Sequence, residues 1–297
     1  MTYSFVTALR GIDLGVPDVA AAARFYTETW HLSIVSQSDD AVYLRGTGAA
    51  HHILSLHRSE QSEVRAVVFN VATQEVLSIL ARTIPECGGT VLSGPKAVEG
   101  PGGGTELVVS DPQGRILRMV YGDERHTDIE PMKDRPVKIT HVVLNSKDVA
   151  AAQLFFENAL GFRLSDRTRI MAFMRCCADH HSIALADANE NSLNHIAFVM
   201  PDLDSVMRGG GRMQDEGYPI EWGVGRHGPG NNAFAYFLGP FGFVIEYTAE
   251  VQQVDDTYKT GGPEDWKWPP GRIDQWGIGH PPSERMKAAQ KTIFFAH

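Results

Sequence analysis

Three residues stand where apolar sequence seldom places imidazole or charge. His141 lies in Lys138-Ile139-Thr140-His141-Val142-Val143-Leu144 and His195 in Asn194-His195-Ile196-Ala197-Phe198. Glu246 lies in Phe243-Val244-Ile245-Glu246-Tyr247. Each run reads as a buried strand. A lone histidine in such a run is usually a satisfied core residue. A carboxylate there is costly unless it is paired or bound to a metal. Two imidazoles and one carboxylate on three strands are the ligand set of a facial triad for non-haem Fe(II), which leaves open positions. Two further histidine settings accompany the three. His180-His181 stands just upstream of His195, and His227 lies in the glycine-rich Gly225-Arg226-His227-Gly228, a kind of loop where function is common.

Three strands that converge on one ion need a scaffold, and the chain repeats one. The Asp-Val-Ala-Ala-Ala cores begin at Asp18 and Asp148, an offset of 130. His51-His52 answers His180-His181 at an offset of 129. Gly100-Pro101-Gly102 answers Gly228-Pro229-Gly230, and Asp111-Pro112-Gln113-Gly114 answers Gly239-Pro240-Phe241-Gly242, both at 128. Landmarks in one order with so little drift mark a duplicated domain. Each half opens with a strand, Leu9 to Leu14 or Val137 to Leu144. Asp18 or Asp148 then starts an Ala-rich amphipathic helix, its acid at the positive end. Short strands, a further strand, a second helix and more strands follow, so each half reads as two β-α-β-β-β units.

Residues 1–123 form the first domain, 124–136 a charged, proline-bearing linker, 137–250 the second domain, and 251–297 a tail without counterpart. The tail holds Trp266, Trp268 and Trp276 among glycines and prolines, and Ser283 can cap a last helix from Glu284 to Lys291. Such a segment is ordered by packing, as a lid, a subunit contact or a wrap over its own domain. The repeat also permits an internal comparison. His141 corresponds to Gly11, His195 to Ala66 and Glu246 to Arg118, so the first half lacks the triad. His227 corresponds to Glu99 and Tyr236 to Val108, whereas His181 is matched by His52. One metal site, in the second half, is expected.

Composition narrows the partners. The chain has 297 residues, 43% hydrophobic and 21% charged, enough for a sizeable core. Its net charge of −9, from 27 basic and 36 acidic residues, argues against nucleic acid or an anionic membrane as a partner. Cys87, Cys176 and Cys177 form no disulfide framework and suit a reducing compartment. No apolar run approaches membrane-spanning length, and MTYSFVTALRG lacks a signal pattern, so a cytoplasmic protein is expected. Gly100 to Gly104 lacks the lysine and helix that a phosphate loop needs.

The second half resembles the catalytic domain of the type I extradiol ring-cleaving dioxygenases of the vicinal oxygen chelate superfamily. The matching elements are Thr140 to Leu144, His180-His181-Ser182-Ile183-Ala184, Asn194 to Phe198, Gly225 to Gly228 with Tyr236 nine residues after His227, and Gly242 to Tyr247. The resemblance spans about Gly11 to Glu250, in the family's order of a degenerate first domain and a catalytic second one. Asn194 departs from members that carry a second histidine before the ligand, and the Trp-rich tail matches no subgroup. The implied fold is α+β: two tandem vicinal-oxygen-chelate domains, each an open mixed-sheet barrel around its site.

The resemblance implies Fe(II), or Mn(II), on His141, His195 and Glu246, with O2 as co-substrate and a catechol-type diol as substrate. A catechol's adjacent oxygens can chelate a metal that keeps a further face for O2, so the metal orients both reactants. The resemblance makes His181 the acid–base. His227 and Tyr236 would hydrogen-bond the catecholate. Strand alternation puts Val143 on the face of His141, and the resemblance adds Phe173 and Trp222 as pocket walls. Arg226 is the basic residue that stands out near these motifs, so an uncharged, substituted or bicyclic catechol is expected. Family habit implies a homo-oligomer. Two rival readings remain: another superfamily enzyme on the same triad, such as a glyoxalase-like isomerase or a hydroxyphenylpyruvate-type dioxygenase, and a bleomycin-resistance-type binder, which needs no triad.

Overall fold

The computed structural model describes residues 5–296. The first half contains β1 (Val6–Val16), α1 (Val19–Arg24) with a π-helical turn at Phe25–Thr29, β2 (Ser33–Gln37), β3 (Ala41–Arg45) and β4 (Leu54–Arg58). It continues with β5 (Glu63–Val71), α2 (Gln74–Glu86), β6 (Thr90–Ala97), β7 (Thr105–Ser110) and β8 (Ile116–Tyr121). The second half repeats the order: β9 (Lys138–Ser146), α3 (Val149–Leu160), β10 (Arg163–Arg167), β11 (Met171–Arg175), β12 (Ile183–Asp187). Then come β13 (Ser192–Val199), α4 (Leu203–Asp215), β14 (Trp222–Arg226), β15 (Ala233–Leu238) and β16 (Val244–Ala249). The tail adds α5 (Glu284–Ala289) and β17 (Ile293–Phe295). Asp18 and Asp148 cap α1 and α3 by accepting from the backbone N–H three residues on, at 2.9 Å in both.

Strand order in the first half is β2-β3-β4-β1-β5-β8-β7-β6, with β1–β4 and β5–β8 parallel and the rest antiparallel. The second half has the same order, β10-β11-β12-β9-β13-β16-β15-β14, with β9–β12 and β13–β16 parallel. Each is a mixed sheet built from two β-α-β-β-β units and left open between its outer strands. The fold is α+β, as read from the duplication. Register repeats too. Asp13 sits opposite Ala66 as Val143 sits opposite His195, and Val68 opposite Arg118 as Ala197 opposite Glu246.

The halves share packing. Trp30, at the end of the first π-helical turn, is fully buried against the second half. Its ring stacks on Tyr247 at 3.6 Å between centroids and meets Phe198 edge-on at 5.3 Å. The Tyr247 hydroxyl donates to the Trp30 carbonyl at 3.1 Å. Buried Arg115 is a polar tie, donating to Asp111 and to the Asn145 carbonyl, both at 2.7 Å. Trp30→Ala should therefore cost about 3–5 kcal/mol by cavity creation. Urea unfolding checks this; a loss below about 1 kcal/mol would place the contact energy elsewhere.

The sequence led to a terminal helix but not to β17. Phe294 of β17 pairs with Ser192 of β13 and with Glu63 of β5, so three residues stitch the two halves together. A run that short has no readable period, and its pairing is a tertiary fact. Among the described residues no helix is long and apolar enough to cross a membrane.

Candidate metal centre and its cavity

Alternation along β9, β13 and β16 directs His141, His195 and Glu246 into the interior of the second sheet. All three are buried, and their ligand atoms lie within 4.8 Å of one another. Glu246 Oε2 is 3.2 Å from His141 Nε2 and 3.3 Å from His195 Nε2. Cis donors on an octahedral ion with bonds near 2.1 Å would stand about 3 Å apart, so the spacing suits a bound cation. The charge balance agrees. The polar neighbours of Glu246 include His141, His195, His227, Asn232 and Tyr236, and among the described residues no lysine or arginine pairs with it. Burial alone would push its carboxyl up, but the His141 and His195 imidazoles hold it well below the carboxylate range. Burial lowers His195, despite the pull of Glu246, and lowers His227 to about 4. A carboxylate buried among imidazoles, with no lysine or arginine paired to it among the described residues, carries a negative charge that a divalent cation would balance.

Outer contacts orient these side chains. His195 Nδ1 meets Asn194 Oδ1 at 2.8 Å, and Asn194 is held in turn by Gln290 of the tail and by Asn145. Asn194, noted in the sequence only as a departure, thus sets the ring of the neighbouring histidine. Asn232 bridges Glu246 Oε1 and Thr248 at 3.4 and 2.7 Å. His141 Nδ1 is buried without a partner. Asn232 gave no sequence signal, because a loop asparagine looks like any turn residue.

A cavity of about 960 Å³ opens above the triad. His181, His227 and Tyr236 line it beside His141 and His195, and Glu246 lies behind those two histidines. The rings of His181 and His141 lie 4.2 Å apart. His227 Nε2 is 3.0 Å from the Tyr236 hydroxyl, which is 3.4 Å from His195 Nε2. His227 is clamped by stacking on Phe234 at 3.9 Å. Burial, with Glu246 nearby, pushes Tyr236 well up, so its hydroxyl keeps its proton and can donate. Burial pushes His181 well down, with His141 and the other imidazoles adding to it, so it rests neutral. Val143 and Phe173 form one apolar wall and Trp222 the other. Eight of the nine residues picked from the sequence line this one space, and the ninth, Glu246, contacts His141 and His195 beneath it.

Two expectations change. Arg226 is not at the cavity: it pairs with Glu250 and lies over Trp276 at 5.0 Å. The cations there are Arg169, Lys287 and Lys291, two of them from the tail, which sequence proximity to the motifs does not reveal. The tail also reaches the cavity through Trp266 and Trp268. Their packing leaves no room at Gly228, where an added Cβ would come within 2.5 Å of Trp268. The tail therefore covers the loop that carries His227.

The first half shows what fills the corresponding place. Arg118 pairs with Asp13 and, at 2.9 Å, with Glu106. Asp13 also accepts from Ser55 at 2.5 Å. A guanidinium thus pairs with two acids where the second half has Glu246 among histidines. His52 contacts His51 through Nδ1 at 3.0 Å and Arg10 at 3.1 Å; burial, then Arg10, lowers it to about 2. The His–His contact recurs at 3.1 Å between His180 and His181, so it belongs to the fold of both halves.

The chain is similar to known proteins. The model of the Glyoxalase/Bleomycin resistance protein/Dioxygenase superfamily matches residues 138–247. The crystal structure of a Mn(II)-bound glyoxalase from Novosphingobium aromaticivorans is 34% identical, with a TM-score of 0.88 over 95% of this chain and 94% of that one. The chain belongs to this superfamily. Within the superfamily, metapyrocatechase 2 of Cupriavidus necator is 32% identical over 62% of this chain and 52% of its own length. The chain therefore spans about half of that relative. The 3-methylcatechol 2,3-dioxygenase of Pseudomonas putida is 25% identical over 80% of this chain and 88% of that protein.

Proposed function

We propose that the chain is an extradiol dioxygenase. It would open a catechol-type ring beside the two hydroxyls, with both atoms of O2 entering the product. The observation that carries this is the His141, His195 and Glu246 cluster on the floor of a roomy cavity walled by His181, His227 and Tyr236. The triad would hold Fe(II), with Mn(II) as a second candidate. The metal, when bound, supplies a Lewis-acidic template for the two reactants and a path for electron density between them. Neutral His181 would take a proton from the substrate side and later return it to an oxygen that stays in the ring-opened product. His227 and the protonated Tyr236 hydrogen-bond the diol oxygen on their wall. Val143 and Phe173 confine one face of the ring and Trp222 the other, while the tail excludes water.

Cytoplasmic residence and a homo-oligomer go with this reading. The domain boundaries at residues 123, 136 and 250 are proposed with it; Arg118 makes residues 1–123 the half without metal.

The likeness to a Mn(II)-bound glyoxalase favours one rival, an isomerase on the same triad. An isomerase consumes no O2, so oxygen decides. Protein reconstituted anaerobically with Fe(II) or Mn(II) should take up one O2 per catechol consumed, and ¹⁸O2 should place two labelled atoms in the product. Turnover without O2 uptake would replace this reading with the isomerase. Substrate closure is testable separately. Replacing Trp266 and Trp268 together with alanine should raise KM for the catechol about tenfold, because each contributes a few kcal/mol at most of apolar cover. Metal content should stay at the parent level. An unchanged KM would leave the tryptophans a packing role only.

A further inference from the structure

His181 is not the end of its hydrogen-bond chain. Its Nδ1 meets His180 Nδ1 at 3.1 Å, and His180 Nε2 meets Asp166 Oδ2 at 2.7 Å. Asp166 and His180 are fully buried. Two further donors reach the same carboxylate from the tail: the Tyr258 hydroxyl at 3.0 Å on Oδ2 and the Gly261 N–H at 2.7 Å on Oδ1. The Gly261 carbonyl in turn accepts from Arg167 at 2.9 Å, so the tail is anchored on both sides of Asp166.

Proton counting gives this chain a direction. A carboxylate only accepts, so His180 Nε2 carries the hydrogen that faces Asp166. An imidazole whose one hydrogen sits on Nε2 has its lone pair on Nδ1. Of two nitrogens 3.1 Å apart, one must donate, so His181 Nδ1 carries the hydrogen between them. That leaves a bare lone pair on His181 Nε2, which has no protein partner among the described residues. This is the form an acid–base needs before it accepts a proton.

The duplication separates this from plain packing. The first half keeps the histidine pair but not the acid. Asp166 sits opposite Phe173 as Ser36 sits opposite Tyr43, so serine holds the equivalent position. His51 has there only the exposed Glu124, at 3.8 Å. Among the described residues, a buried carboxylate hydrogen-bonded to the first histidine of the pair occurs only in the half that has the triad.

We infer that Asp166 and His180 are positioning residues that fix the proton of His181 on Nδ1, with Tyr258 and Gly261 of the tail holding Asp166 in place. This rests on the acid–base reading of His181, and the test keeps the two apart. Asp166→Asn is the informative change. With Gly261 still donating to the amide oxygen, the NH2 group points at His180 Nε2. His180 must then accept there and donate from Nδ1, which moves the hydrogen of His181 to Nε2.

The first readout is the ¹⁵N imidazole spectrum of histidine-labelled protein loaded with diamagnetic Zn(II), with His181 assigned by its loss in His181→Ala. The parent should show a pyridine-like Nε2 and a pyrrole-like Nδ1 at His181, and Asp166→Asn should exchange the two. The second readout is turnover. Asp166→Asn should lower kcat roughly tenfold to 10³-fold, less than loss of the whole proton-transfer group, with KM and metal content within about twofold of the parent. A parent His181 already protonated at Nε2 overturns the inference, even if Asp166→Asn does not fold. So does an Asp166→Asn protein with the parent tautomer and the parent kcat. An exchanged tautomer in a chain whose His181→Ala variant turns over normally supports the proton setting and sinks the acid–base role instead.

Discussion

Glu246→Ala should bring metal content from about one ion per chain to nearly none and remove ring-cleaving activity. The carboxylate is the single negative ligand of the triad, and its Oε2 meets both histidines at 3.2 and 3.3 Å. Losing even an outer partner of a metal ligand costs roughly 10–100-fold in affinity, so losing the ligand itself should cost more. Stability gives an independent readout. A cation that binds only the folded chain stabilises it by about 2.7 kcal/mol at a concentration of 100 Kd. The melting temperature of the metal-free parent should therefore rise on anaerobic addition of Fe(II), whereas that of Glu246→Ala should not. Without metal, the variant should melt at or below the parent, because the His141 and His195 contacts that keep the carboxylate ionised are lost. Elemental analysis and calorimetry measure both effects. One ion per chain retained in Glu246→Ala would place the metal elsewhere and sink the triad. The first half is not expected to offer that site, since Arg118 stands in place of Glu246 and is paired with Asp13 and Glu106.

His181→Ala should keep its metal and bind catechol anaerobically, yet lose turnover roughly 10²–10⁴-fold, the worth of a positioned proton-transfer group. The loss should fall on kcat more than on KM, because the proton is needed in the transition state and hardly in the ground state. His52→Ala is the matched control. It removes the same residue type from the same place in the repeat, with Arg10 and His51 as its partners. It should leave kcat alone and cost about 1–3 kcal/mol, because a buried donor loses its acceptor. Single-turnover rates, iron content and chemical unfolding separate the two. Parent-rate turnover in His181→Ala, or equal losses of stability alone in both variants, would make His181 a packing residue.

The architecture was legible in the sequence because a duplicated chain is its own comparison. Repeated Asp-Val-Ala-Ala-Ala caps fixed the start of α1 and α3, and alternating apolar strands fixed which side chains point inward. The triad was legible for the same reason: a glutamate and two histidines inside apolar runs violate the strand pattern, whereas their counterparts are Gly11, Ala66 and Arg118, two small residues and a charge of the opposite sign. These are local signals, carried by residues close to one another in the chain.

What escaped is non-local. Asp166 is an ordinary polar residue in its own strand, and only the fold buries it behind His180 and under Tyr258, 92 residues away. Arg226 looked like a site residue from its neighbours, yet Glu250 and Trp276 hold it away from the cavity. The tail has no period to read, so neither the lid at Trp266 and Trp268 nor the seam made by β17 could be placed from its residues. Sequence by itself determined which residues are out of keeping with their elements, because periodicity and capping act over a few residues. Only the tertiary structure decided which of them meet and what closes over them, because hydrogen bonds and burial between distant segments leave no periodic trace in the chain.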